Sequence, residues 1–115
     1  MPKIILVVFN GDPMCFIHVL LNSLDMAERG AGGRIIIEGA AAKLIPQLEQ
    51  PDNPLHELWL KVKKGSLIEG VCRACAKKTG VLDDVRQLDL PLLSDIAGHP
   101  SLARYRQEGY EIITF

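Results

Sequence analysis

Leu67-Ile68-Glu69-Gly70-Val71-Cys72-Arg73-Ala74-Cys75-Ala76-Lys77-Lys78-Thr79-Gly80-Val81 is the stretch on which the reading of this chain turns. Leu67 to Val71 reads as a short strand, Cys72 to Thr79 as a helix, and Gly80 as its stop. A Cys-x-x-Cys stands at the join. A helix start offers unpaired N–H groups and the positive end of the macrodipole, so a cysteine there is expected to have a lowered pKa. Arg73, Lys77 and Lys78 add positive charge nearby. Cysteines three apart lie on consecutive turns of one face. They can form a disulfide, share a metal, or act as a nucleophile with its neighbour. Two small apolar side chains at such a junction can also simply be core.

Outward from this stretch, strands and helices alternate. Lys3 to Phe9 is an apolar run suited to a strand buried on both faces. Asn10-Gly11-Asp12-Pro13 is a turn, with Asp12 as N-cap and Pro13 at the first helical position. The helix extends to about Glu28, with an apolar stripe of Phe16, Ile17, Leu20, Leu21, Leu24 and Ala27. Arg34 to Glu38 is a second strand, and Ala40 to Leu48 a short helix broken near Pro46. A loop at Gln50–Pro54 leads to an amphipathic helix, Leu55 to Lys64, whose Trp59 is either core or an oligomer contact. Beyond the central stretch, Val81–Gln87 is helical and Leu90–Leu93 is a weaker strand, tolerable at an edge because of Pro91. A turn at Gly98–Ser101, a helix at Ser101–Glu108 and a terminal strand at Tyr110–Phe115 complete the chain. The alternation predicts one domain over residues 1–115. Its expected fold is a three-layer α/β/α sandwich with a mainly parallel sheet of about five strands.

Composition narrows the function. With 48% hydrophobic and 23% charged residues, the 115-residue chain has the make-up of a globular domain with one core. The formal net charge of −1, with no charged tail, gives no support to nucleic acid or an anionic membrane as a partner. Few aromatics, 5%, leave no base-stacking platform. Three cysteines form no disulfide framework, and the apolar run Ile4 to Phe9 is too short for a signal segment or a membrane span. A cytoplasmic, reducing location is expected.

Parallel strands end on one rim, where open α/β sheets bind ligands. The candidate binding residues on that rim are Asn10 and Asp12 in the first loop, Cys15 in the first helical turn, Glu38 and Gly39 after the second strand, and Arg73. No phosphate-binding glycine motif is present. His18 lies close enough to Cys15 for a Cys–His pair, although packing and surface roles suit both better. Glu38 is expected to cap the next helix, and His99 to be a solvated loop histidine. Cys15, Cys72 and Cys75 could meet and, with a histidine, hold zinc. A single Cys-x-x-Cys without a second ligand pair argues against it, so no metal and no cofactor is expected.

At whole-chain level the sequence resembles the DsrE/DsrF-like proteins, small cytoplasmic α/β proteins linked to sulfur trafficking. The resemblance rests on the order and length of its parts: strand, loop and long helix over Ile4 to Glu28; Ile35-Ile36-Ile37-Glu38-Gly39-Ala40; Val71-Cys72 followed by Gly80-Val81; and the terminal strand from Gly109 to Phe115. It implies a sulfur carrier or sulfurtransferase in which the cysteine after the third strand, here Cys72, carries a persulfide. It also implies a homo-oligomer, a trimer or hexamer, served by sulfur-donor and sulfur-acceptor proteins. The resemblance assigns no role to Cys75 or Cys15; from its place in the Cys-x-x-Cys, Cys75 would resolve the persulfide or tune the pocket. The alternatives are a dithiol–disulfide redox protein using Cys72 and Cys75 as its catalytic pair, and a non-catalytic oligomeric ligand-binding subunit.

Overall fold

An uninterrupted apolar strand has to be covered on both faces, and Ile5, Leu6, Val7 and Val8 of β1 (Lys3–Val8) have no exposed surface. In the computed structural model, which describes residues 3–115, β1 pairs with β2 (Gly32–Ile37) on one side and β5 (Tyr110–Thr114) on the other. β3 (Ile68–Cys72) lies beyond β2, and the two-residue edge strand β4 (Leu92–Leu93) beyond that. All pairs are parallel, and the five-stranded sheet has the order β4-β3-β2-β1-β5. The three-layer α/β/α sandwich read from the sequence is the architecture of the chain.

The helices are α1 (Pro13–Glu28), a 3₁₀ turn (Gly39–Leu44) running into α2 (Ile45–Leu48), α3 (His56–Lys64), α4 (Arg73–Lys78), α5 (Leu82–Gln87) and α6 (Leu102–Gln107). Crossovers between parallel strands are right-handed. The steps from β1 through β2 and β3 to β4 move one way across the sheet, so their helices share a face. The step from β4 to β5 returns across the whole sheet, which puts α6 on the other face. Packing follows this rule. Leu6, Val8, Ile35 and Ile37 join Phe16, Leu20, Trp59 and Val85 in the larger core. Ile5, Val7 and Ile36 join Tyr105 of α6 in the smaller one.

Local chemistry sets the element ends. The Asp12 carboxylate accepts the Met14 N–H at 2.9 Å, and Pro13 opens α1, as expected. The buried stripe of α1 is Phe16, Val19, Leu20 and Ser23, which differs from the expected one: Leu21 is 46% exposed. Ser23 is tolerated inside because its hydroxyl donates to Gly33 O at 2.5 Å. Gly33 has a φ of +89°, and a Cβ there would lie 2.9 Å from Ser23 O, so glycine allows this close helix–strand contact. Trp59 is core: it has no exposed surface, meets Phe16 edge-on at 6.3 Å and donates to Glu49 at 2.5 Å.

The α6 face has a single helix as cover. Tyr105 is 2% exposed, its hydroxyl donates to Glu69 Oε2 at 2.8 Å, and the Arg104 guanidinium lies 4.5 Å from its ring centre. Tyr105→Ala should therefore destabilise the domain by about 3–5 kcal/mol, the usual loss for a buried aromatic. Urea unfolding of the two proteins measures this, and a loss well under 1 kcal/mol would mean that Tyr105 does not anchor the face.

Candidate functional site

The helix after β3 leaves on one face and the chain after β4 leaves toward the other. In open α/β sheets the crevice outside the carboxyl ends of two such strands is the ligand site. Cys72, the last residue of β3, lies there and is paired with Leu93 of β4. Val71 belongs to the larger core, so alternation along the strand turns Cys72 toward the α6 side. Glu38 follows Ile37, which pairs with Val71, so it stands beside Cys72 on the neighbouring strand and on the same side.

The chain beyond β4 brings the third component. Ile96 and His99 exchange backbone hydrogen bonds at 2.8 Å in each direction. The two residues between them, Ala97 and Gly98, have φ values of 48° and 86°. Left-handed backbone at both central positions is the signature of a type I′ turn. The turn docks on α4: Gly98 O accepts the Ala74 N–H at 2.9 Å. A Cβ on Gly98 would come within 3.1 Å of Ala74 Cβ, so both the backbone angle and the docking call for glycine. The expected turn at 98–101 thus lies two residues earlier, over Ile96–His99.

His99 is exposed, as a loop histidine should be, yet its Nδ1 lies 3.1 Å from Cys72 Sγ. The same sulfur lies 3.7 Å from Gly98 O and accepts the Cys75 N–H at 3.4 Å. Cys72 has no exposed surface, and Cys75 is half-buried. The Cys72, Cys75 and His99 donor atoms all lie within 4.8 Å of one another, which makes them a possible metal-ligand set.

Electrostatics correct one expectation. Burial foremost, then the Cys75 side chain, push the Cys72 thiol up to about 12, with the Glu38 charge adding to the rise and the Cys75 N–H opposing it. The expected lowering fails because α4 has only six residues and its first turn does not restore the water removed from the sulfur. Lys77 and Lys78 lie in the last turn of α4, at the far end from Cys72. In the resting site the thiol keeps its proton, with Gly98 O and His99 Nδ1 both beside the sulfur.

The other expected site residues divide. Glu38 is 8% exposed and makes no side-chain cap for the helix that follows, contrary to expectation. Burial raises its carboxyl above the ordinary carboxylate range, against the pull of His99. Gly39 only opens the 3₁₀ turn. The Asn10 side chain accepts the Asp12 N–H at 2.8 Å and Asp12 caps α1, so both are spent on the loop's own structure. Cys15 is half-buried in the first turn of α1, outside the cluster of Cys72, Cys75 and His99. The three thiols do not form one donor group. Arg73 is exposed at the start of α4.

Fold and site together define an open parallel α/β domain with a Cys–His pair at its switch point. An uncharacterized protein of Methanocaldococcus jannaschii, MJ0733, is 35% identical to the chain over 96 residues, 84% of this chain and 76% of that one. The chain belongs to the family of that archaeal protein. No family model and no solved structure matches it.

Two outcomes follow from this geometry. Gly98→Ala should destabilise the domain by about 1–2 kcal/mol, the penalty of left-handed backbone for a residue with a Cβ, as read by thermal and urea unfolding. An unchanged stability would show that the turn adapts freely. Glu38→Gln should stabilise the protein at pH 7. Folding raises the Glu38 pKa, so its ionised form is disfavoured in the folded state above the unfolded value of 4.5. The advantage of the variant should shrink as pH falls through the raised folded pKa toward 4.5 and vanish below it, where Glu38 is neutral in both states. An advantage that stays constant with pH would overturn the assignment.

Proposed function

We propose that the protein is a cytoplasmic sulfur carrier of the DsrE/DsrF-like kind, which holds sulfane sulfur as a persulfide on Cys72. The observation that carries the reading is the Cys72 Sγ–His99 Nδ1 contact of 3.1 Å at the switch point. It is a nucleophile–base pair where an open sheet receives its ligand. The whole-chain resemblance supports it, since the cysteine after the third strand is the persulfide carrier in that family.

The chemistry is a pair of thiol exchanges. Cys72 passes its proton to His99 Nδ1 as its sulfur attacks the outer sulfur of a donor R–S–SH. The donor S–S bond breaks, R–S⁻ leaves and takes the proton from His99, and Cys72–S–SH remains. An acceptor thiol then attacks the outer sulfur, receives it as R′–S–SH, and Cys72 returns to the thiol. The protonated resting state makes His99 necessary as the base, and the Cys75 N–H bond to Sγ steadies the sulfur as charge develops.

A dithiol reading is favoured by one observation, the approach of the two sulfurs within 4.8 Å. In that case Cys72 attacks a substrate disulfide R–S–S–R and one R–SH leaves; Cys75 then attacks the Cys72 sulfur of the mixed disulfide, the second R–SH leaves, and a Cys72–Cys75 disulfide forms as the substrate is reduced.

The domain has no helix among the described residues long and apolar enough to cross a membrane. A homo-oligomer, trimer or hexamer, is part of the proposal. It is supported by Met14, 72% exposed, which lines a shallow depression with Pro13, Ile17, Pro54 and Leu55.

Intact mass after incubation with a sulfane-sulfur donor tests the reading. One added sulfur, removable by reductant and absent from Cys72→Ala, is the expected result. His99→Ala should load about a hundredfold more slowly, the usual loss of a general base. Undiminished loading in Cys72→Ala would sink the assignment. A loss of two hydrogens that requires both Cys72 and Cys75 would replace it by the dithiol reading.

A further inference from the structure

The three donors at the switch point have more capacity than a thiol exchange uses. Two sulfurs and an imidazole nitrogen from two segments (the β3–α4 junction and the Ile96–His99 turn) converge within 4.8 Å. Donors around a tetrahedral zinc ion are about 3.5–3.8 Å apart, given bonds of about 2.3 Å to sulfur and 2.0 Å to nitrogen. The 3.1 Å separation of Cys72 Sγ and His99 Nδ1 needs only a small opening to admit an ion. His99 is exposed, so its ring has room to make it.

Glu38 adds charge beside this group. It is 8% exposed, stands beside Cys72 across the β2–β3 pairing, and acts electrostatically on both Cys72 and His99. A carboxylate at that position favours a cation among the three donors.

We propose that Cys72, Cys75 and His99 bind a zinc-class divalent ion as three protein ligands, with the fourth position open toward solvent and Glu38 as the neighbouring negative charge. Two thiols and an imidazole select a borderline or soft ion over Mg²⁺ or Ca²⁺, which take oxygen donors. On binding, both thiols release a proton to solvent, two metal–sulfur bonds form, and no electron is exchanged. Two thiolates balance the ion's charge, which compensates for placing the sulfurs out of water. The proposal stands apart from the sulfur-carrier reading, because a persulfide needs only Cys72 whereas the ion needs all three groups. A bound ion would occupy the Cys72 sulfur and block its exchange.

Reduced, chelator-treated protein titrated anaerobically with Co²⁺ is the test. The expected result is thiolate-to-cobalt charge transfer with tetrahedral visible bands, saturating at one ion per chain and displaced by Zn²⁺. Cys75→Ser and His99→Ala should each lose the bands or bind at least tenfold more weakly, and Glu38→Gln should bind about tenfold more weakly, as for a group next to a ligand. No charge-transfer band in the wild type, or bands kept in both Cys75→Ser and His99→Ala, would overturn the proposal. A second measurement on the wild type avoids variants that fold poorly. Zn²⁺ should slow alkylation of Cys72 and Cys75, read by peptide mass, while Cys15 labelling stays unchanged; equal labelling of all three with and without Zn²⁺ also overturns it. Sulfur uptake by the same chelator-treated protein is scored separately. Cobalt bands without uptake would sink the carrier reading alone, and uptake without bands the metal reading alone.

Discussion

The hand of the β–α–β crossover is the constraint on which the rest of this molecule depends. Because three successive steps travel one way across the sheet, α1, α3, α4 and α5 crowd onto one face and build the larger core. The return from β4 to β5 then has only the other face to use, and one helix covers it. The same reversal opens the sheet between the ends of β3 and β4. A cysteine that closes β3 and a loop that follows β4 are brought together there without any contact nearby in sequence. The site is a consequence of topology before it is a consequence of side chains.

Within that crevice, opposing effects on Cys72 decide its state by size. A helix start favours a thiolate by about 0.3–1 kcal/mol at an accessible position, and α4 is too short to do more. Complete removal of the sulfur from water acts the other way and is the larger effect, so the thiol keeps its proton. Glu38 works in the same direction, since two negative charges side by side would oppose each other. The resting arrangement is therefore a protonated thiol 3.1 Å from the His99 imidazole.

Much of this was legible in the sequence. Apolar runs gave the strands, Asp12-Pro13 the start of α1, and the strand–Cys–helix join the position of the principal thiol. The grouping on the rim was not legible. Cys15 and Cys72 both follow strand ends, but β2 lies between β1 and β3, so their strands are about 10 Å apart. Cys15 also leaves with α1 toward the larger core while Cys72 faces the other side. Glu38 is one strand away and on the same side, a relation that needs the strand order and register. His99 comes from 27 residues downstream on a turn that the sequence placed two residues too late. The signal that could have located it is Ala97-Gly98 before His99-Pro100, since glycine in the second central position suits a type I′ turn. The α1 stripe was legible in part: Phe16 and Leu20 are buried and Ile17 and Leu24 pack against the larger core, whereas Leu21 and Ala27 are exposed and Ser23 is buried through a hydrogen bond to Gly33, which hydrophobic periodicity does not register.

The same turn also determines how the crevice can be entered. Cys72 has no surface of its own, whereas His99 is exposed and lies against it. The imidazole, the Gly98 carbonyl and the Cys75 backbone all lie against that sulfur. Two anchors flank that residue: the Gly98 carbonyl bonded to Ala74, and buried Pro100, whose ring disfavours helical backbone at His99. The backbone of His99 is fixed on both sides, so the freedom left to it is rotation of the side chain. The Cys72–His99 contact of 3.1 Å therefore depends on the one rotamer of His99 that keeps its Nδ1 against the sulfur, on a backbone that the turn has already placed.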